Sequence, residues 1–129
     1  ALVLEYQMPS DRFLFTGAVP NADLAAYYRS ASVYVSLSEP EGFCVPLVEA
    51  MAMDVPVLAY EAGAVGETMG GAGFLFNPKD LEYASEALGV LAYDERTRRQ
   101  VLEGQRARLA HFGRDTMSAA VARMLETFA

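Results

Sequence analysis

Two glutamates, Glu41 and Glu49, stand eight positions apart in the stretch "SLSEPEGFCVPLVEAMAMDVPV", around a Gly-Phe-Cys turn that runs into an apolar helix. Carboxylates so placed can hold a metal, move a proton, balance a cation or grip adjacent hydroxyls. Hard-cation sites add Asp, Asn or carbonyl ligands at close spacing, and zinc sites need several Cys or His. Here the single cysteine, Cys44, and the single histidine, His111, lie far apart, so no dedicated metal site is expected. A glycosidase acid–base pair faces its sugar across an open cleft, whereas these two acids share one loop and one helix. Cys44 has no neighbouring His or Asn to activate it as a nucleophile, and a small buried residue is its plainer reading. The hydroxyl reading fits best, because an ionised carboxylate offers about four acceptor sites. Glu49 falls one turn into the helix that Pro46 begins, where the positive end of the dipole favours its charge. The N–H groups of that helix start and of the "GFCV" turn suit phosphate oxygens. A nucleotide sugar carries both kinds of group. No Lys or Arg occurs between Arg29 and Lys79, so the stretch brings no cation of its own for a diphosphate.

The flanking elements must put this loop at the edge of something rigid. "RFLFTG", residues 12–17, reads as a buried strand closed by glycine. "NADLAAYYRSA" reads as a helix with Asn21 as N-cap, and of Tyr27 and Tyr28 one is expected in the core and one on the surface. "SVYVSLS" is a strand, "PLVEAMAM" a helix with Pro46 at its first position, and "PVLAYE" a strand. "AVGETMG" is a short helix ended by glycine, with Glu67 helping to cap its start, and "AGFLFNP" is a strand stopped at Asn77-Pro78. From Asp80 onward the pattern is helical. "DLEYASEALGVLAY" has Asp80 as its cap and Leu81, Ala84, Leu88 and Leu91 at helix spacing. "DERTRRQVLEGQRARLAHF" carries its charges outward and ends at Gly113, with His111 near its end, and "RDTMSAAVARMLETFA" closes the chain. Met51 and Met53 read as core filling.

Strands alternating with helices imply βαβ units: a Rossmann-like parallel sheet with helices on both faces. In such sheets ligands gather beyond the carboxyl ends of the strands, and the loop after "VYVS" is "LSEPEGFCV". The predicted position of a site and the odd composition coincide.

The 129 residues suit one domain, residues 1–129, with no internal repeat or linker. A hydrophobic share of 53% and a charged share of 21% are those of a globular chain. A net charge of -7 argues against a nucleic-acid partner, and no apolar run has the roughly 18 residues of a membrane span. The start is not signal-like and lacks Met, so the chain is expected to be cut from a longer one. A single cysteine is consistent with a reducing cytoplasm. The arginines crowded into the last third read as a solvated helix face.

"SEPEGFCVPLVEAMAMDVPVLAY" resembles the signature of retaining GT-B glycosyltransferases of the sucrose-synthase and phosphatidylinositol-mannosyltransferase type, roughly S-x-x-E-G-F-G-L-P-x-x-E-A-M-A-x-G-x-P-V. "RFLFTGAVPNADLAAYYRSASVYV" before it, "GETMGGAGFLFNPKDLEYASEAL" after it and the closing "RARLAHFGRDTMSAAVARML" are similar to the family's flanks. A bare E-x7-E pair is weak, while the ordered blocks together are strong.

The resemblance implies the C-terminal, donor-binding half of a GT-B enzyme that moves a hexose from a nucleotide-diphosphate sugar to an acceptor hydroxyl with retention. It also implies no essential metal or cofactor. By position Glu49 would bind the ribose, Glu41 the transferred sugar, and the backbones of Gly42, Phe43 and Cys44 the sugar. The backbone of Val45 would approach the diphosphate, and the stretch of Val19 and Asn21 would meet the base. The acceptor, a glycan, lipid or small molecule, would bind through a second domain outside this sequence, at the inner membrane face where the acceptor is a lipid. Cys44 stands where the family most often has glycine, and Asp54 replaces the usual glycine after the helix, as a turn variant. The family's phosphate-gripping Arg and Lys come from an upstream region that this sequence does not contain. An inactive Rossmann-like interaction module and a sugar phosphorylase or synthase are the competing readings, and the intact acid pair favours the transferase.

Overall fold

The structure, a computed structural model, describes residues 10–39 and 44–112. Their order is a 3₁₀ turn (Ser10–Arg12), α1 (Asn21–Ser30), β1 (Tyr34–Ser36), α2 (Val45–Ala52), β2 (Val57–Tyr60), α3 (Val65–Met69), β3 (Phe74–Phe76), α4 (Leu81–Tyr93) and α5 (Glu95–Leu109). The three strands pair in the order β1-β2-β3, all parallel, with Tyr34 opposite Val57 and Leu58 opposite Phe74.

Alternation along β2 sends its side chains to two different cores. Val57 and Ala59 pack with Ala25 and Tyr28 of α1, Leu47, Val48 and Met51 of α2, and Val65 and Met69 of α3. Leu58 joins Phe76 of β3 and Ala84, Ala87 and Leu91 of α4 on the opposite face. The central strand is therefore buried on both sides, which is why "VPVLAY" is apolar throughout and shows no polar alternation. The expected parallel α/β sheet with helices on both faces is what forms.

Helix α5 crosses the amino ends of the strands. The side chain of Gln105, fully buried, accepts a hydrogen bond from Val57 N at 2.8 Å and donates one to Val55 O at 2.9 Å. Its primary amide thus stands in for a strand partner at the start of β2. Arg98 donates to Ser32 O just ahead of β1. Arg106 makes a two-pronged contact with Asp54, at 2.9 and 3.1 Å. Arg108 donates to Glu67 O at 2.7 Å and Thr68 O at 3.1 Å, so it covers the carbonyls at the end of α3. That helix stops at Gly70, in the left-handed region at φ 56°, where a Cβ would lie 2.5 Å from the Arg108 guanidinium.

Several expectations need correction. "RFLFTG" forms no strand: Leu14 is 72% and Phe15 81% exposed, and the run pairs with no strand among the described residues. An apolar run becomes a buried strand only where a neighbour accepts its backbone and covers its face. Asn21 is the first helical residue of α1, and the cap position belongs to Pro20 without a side-chain bond. Pro46 is the second residue of α2, after Val45. The arginines of α5 are not a merely solvated face, since three of them hold backbone or Asp54. On α4 Ala84 and Leu91 are buried while Leu81 and Leu88 are exposed, because Ala87 supplies the middle of the inner stripe. Helix α5 ends at Leu109, short of the expected Gly113, which lies outside the described residues together with the closing segment.

Candidate functional site

Beyond the carboxyl end of β1 the chain enters α2, and the start of this helix differs from those of α4 and α5. Asp80 Oδ1 accepts from Glu82 N and Tyr83 N at the start of α4, and Asp94 Oδ1 accepts from Arg96 N and Thr97 N at the start of α5. Both helices are thereby closed to an outside anion. The cap residue of α2 is Cys44, whose side chain does not cap the helix, and the first turn carries no acid. An α-helix that begins this way keeps its positive end available to a ligand.

Glu49 sits in the second turn of α2 and is 1% exposed. Its burial follows from the helix face it shares with Leu47, Val48 and Met51, all packed against β2 and α1. Beside it opens a cavity of about 350 Å³, lined by Leu24, Tyr27, Tyr28 and Ala31 of α1, Tyr34 of β1, and Pro46 and Glu49 of α2. The Tyr28 and Tyr34 rings stack with centroids 5.8 Å apart, and the Tyr28 hydroxyl donates to Pro46 O at 3.3 Å. The hydroxyl ties α1 to the first turn of α2 and fixes one wall of the cavity. Burial, with the Glu49 carboxylate and the Cys44 thiol nearby, pushes the Tyr34 phenol above its ordinary value. The ring therefore stays a neutral donor throughout the physiological range.

Cys44 is itself buried, and that burial pushes its thiol up. It is held as the neutral form that makes a poor nucleophile and a good small core residue. Val45, half-buried, opens α2, and Val19 and Asn21, also half-buried, lead into α1 one turn ahead of Leu24. The structure thus brings Cys44, Val45 and Glu49 together at one helix start beside the cavity. Glu41, Gly42 and Phe43 lie outside the described residues. Asp54 adopts φ 57°, the left-handed conformation that the usual glycine would supply, so the expected turn variant is present. Tyr28 is core and Tyr27 surface, Met51 is buried and Met53 packs on the core, as expected. His111 follows the end of α5, while Glu67 is exposed in the first turn of α3. Among the described residues no group of His, Cys, Asp and Glu could hold a metal ion, and no helix is long and apolar enough to cross a membrane.

Two features escaped the sequence. The tyrosine pair that shapes the cavity comes from residues whose spacing signalled only packing. Lys79, distant in sequence from the glutamate loop, approaches Glu39 Oε1 at 3.5 Å. Its signal was present in hindsight, since it is the single lysine of the chain and directly follows the strand that "NP" ends.

A family model for group 1 glycosyl transferases matches residues 3–94. The chain belongs to that family. Among curated relatives, the sulfoquinovosyl transferase SQD2 of Arabidopsis thaliana is 37% identical over 90 residues, covering 66% of this chain and 18% of the relative. The MMP alpha-(1->4)-mannosyltransferase of Mycolicibacterium hassiacum is 35% identical over 102 residues, 77% of this chain and 25% of the relative. A GDP-mannose-dependent alpha-mannosyltransferase of Mycolicibacterium smegmatis is 50% identical over 50 residues, 39% of this chain and 13% of the relative. The group 1 chain therefore spans a quarter or less of the length of these relatives. No solved structure matches it.

Proposed function

We propose that this chain is the nucleotide-sugar-binding half of a retaining hexosyltransferase. The observation that carries the reading is the Glu49 carboxylate, buried in the wall of a cavity between α1 and α2 and beside a helix start that no side chain caps. An ionised carboxylate offers about four acceptor sites, and a pair of vicinal hydroxyls can fill two of them. In this reading Glu49 accepts from the ribose, and the backbone at Val45 and the open end of α2 meet the diphosphate. Glu41 and the backbones of Gly42, Phe43 and Cys44 contact the transferred sugar, and the Val19–Asn21 stretch meets the base. The donor in the name of the GDP-mannose-dependent relative supports a nucleotide sugar for this chain.

The acceptor hydroxyl attacks the anomeric carbon from the face that the donor phosphate leaves. The carbon–oxygen bond to the diphosphate breaks as the new glycosidic bond forms, and the departing phosphate receives the acceptor's proton. Glu41 then positions the sugar and stabilises positive charge, with no covalent role and no essential metal. The acceptor reaches this cleft through a region beyond these residues.

Titration calorimetry with GDP-mannose and UDP-glucose tests the reading. Saturable binding of one of them, weakened in Glu49→Ala while the fold is kept, is the expected result. Equal affinity in wild type and Glu49→Ala would remove Glu49 from the ribose role.

A further inference from the structure

We propose that Lys79 is the cation with which this chain meets the anionic group of its donor, and that Glu39 is the anion it exchanges for that group; the inference rests on the nucleotide-sugar reading above. Lys79 follows β3, its Nζ lies 3.5 Å from Glu39 Oε1 beyond the end of β1, and it stands 4.8 Å from the ring centroid of Tyr60, the last residue of β2. One ammonium thus bridges the carboxyl ends of all three strands, where a parallel sheet presents its ligands. Arg98, Arg106 and Arg108 are committed at the opposite end, to Ser32 O, Asp54 and the carbonyls of α3.

The pair with Glu39 is suited to exchange. Its side chains are 39% and 66% exposed, and an ion pair so open to water adds little net stability. A diphosphate with two or more negative charges competes well for a compact ammonium on a flexible stem. The Tyr60 ring keeps the stem in place whichever anion it faces. Its backbone is held too, because Asp80 N donates to Pro78 O at 2.8 Å and Asn77 Nδ2 donates to Glu61 O at 3.2 Å. Asp80 already accepts from the first-turn N–H groups of α4, so the attraction for an anion comes from the Lys79 charge and not from that helix start.

Because Lys79 is the single lysine of the sequence, reductive ¹³C-methylation labels one side-chain amine. Its methyl resonance is expected to shift saturably with inorganic pyrophosphate and with GDP, and to ignore guanosine. By calorimetry Lys79→Met should weaken GDP binding about three- to tenfold, and Lys79→Arg should retain it. Glu39→Gln should tighten binding about twofold, since it removes the competing anion. A brace that merely held the Glu39 segment would make Lys79→Met and Glu39→Gln weaken binding alike. That parallel loss, or equal GDP affinity in Lys79→Met and wild type with unchanged melting, overturns the proposal. GDP binding that falls in Glu49→Ala but ignores Lys79→Met sinks this inference and leaves the nucleotide-sugar reading standing. Protein that binds pyrophosphate but none of GDP, GDP-mannose and UDP-glucose sinks both.

Discussion

At the amino ends of the strands, side chains of α5 reach backbone directly: Gln105 to Val55 and Val57, Arg98 to Ser32, Arg108 to Glu67 and Thr68. At the carboxyl ends the polar groups meet each other loosely or face a cavity. Lys79 pairs with Glu39 in water, Ser36 Oγ lies 3.0 Å from Ser38 Oγ, and Glu49 borders the space between α1 and α2. One end satisfies its backbone with long-range bonds that only the folded chain can make. The other leaves an ion pair open to water and a carboxylate in a cavity wall.

The difference can be broken from either side. The largest effect is expected for Gln105→Leu, which leaves Val57 N and Val55 O buried without partners. Urea denaturation should show a loss of about 3 kcal/mol, with nucleotide affinity of the folded protein nearly unchanged. A large loss of affinity at native conditions would mean that the two ends are coupled. Glu49→Ala should do the reverse: the urea midpoint moves little, while nucleoside-diphosphate affinity falls about 30-fold, or about 2 kcal/mol.

A smaller effect comes from pH. Burial raises both the Cys44 thiol and the Tyr34 phenol, so the folded state prefers their neutral forms. The stability this contributes is complete below the ordinary values, about 8.5 for a thiol and about 10 for a phenol. It is lost as pH climbs above them through the raised folded-state values. Melting curves from pH 7 to 11 should show that decline in two stages, and Cys44→Ala should delete the earlier one. The smallest effect is expected for Asp54→Gly. Glycine relieves the left-handed backbone at φ 57° but forfeits the exposed contact with Arg106, so the melting temperature should move by less than about 2 °C.

Local chemistry made the helices readable in advance. Asp80 caps α4 and Gly70 ends α3. The strand order follows from βαβ logic once "VYV", "VLAY" and "FLF" are recognised. The misreading of "RFLFTG" has the same root as the missed Lys79. Composition reports what a segment could do, and only its spatial neighbours decide whether it does so. The helix start that carries Glu49 could be read from Pro46 and the helix-forming run after it, both local. The Lys79–Glu39 pair and the Gln105 bridge join residues far apart in the chain, and no periodicity carries that information.

Gln105 also makes β2 and α5 one unit. Its amide finds both partners 48 to 50 residues earlier in the chain, on either side of Pro56 at the start of β2. The Val57 amide, hidden behind that side chain, exchanges with solvent only when the helix lets go. A single proton thus keeps count of every excursion of α5.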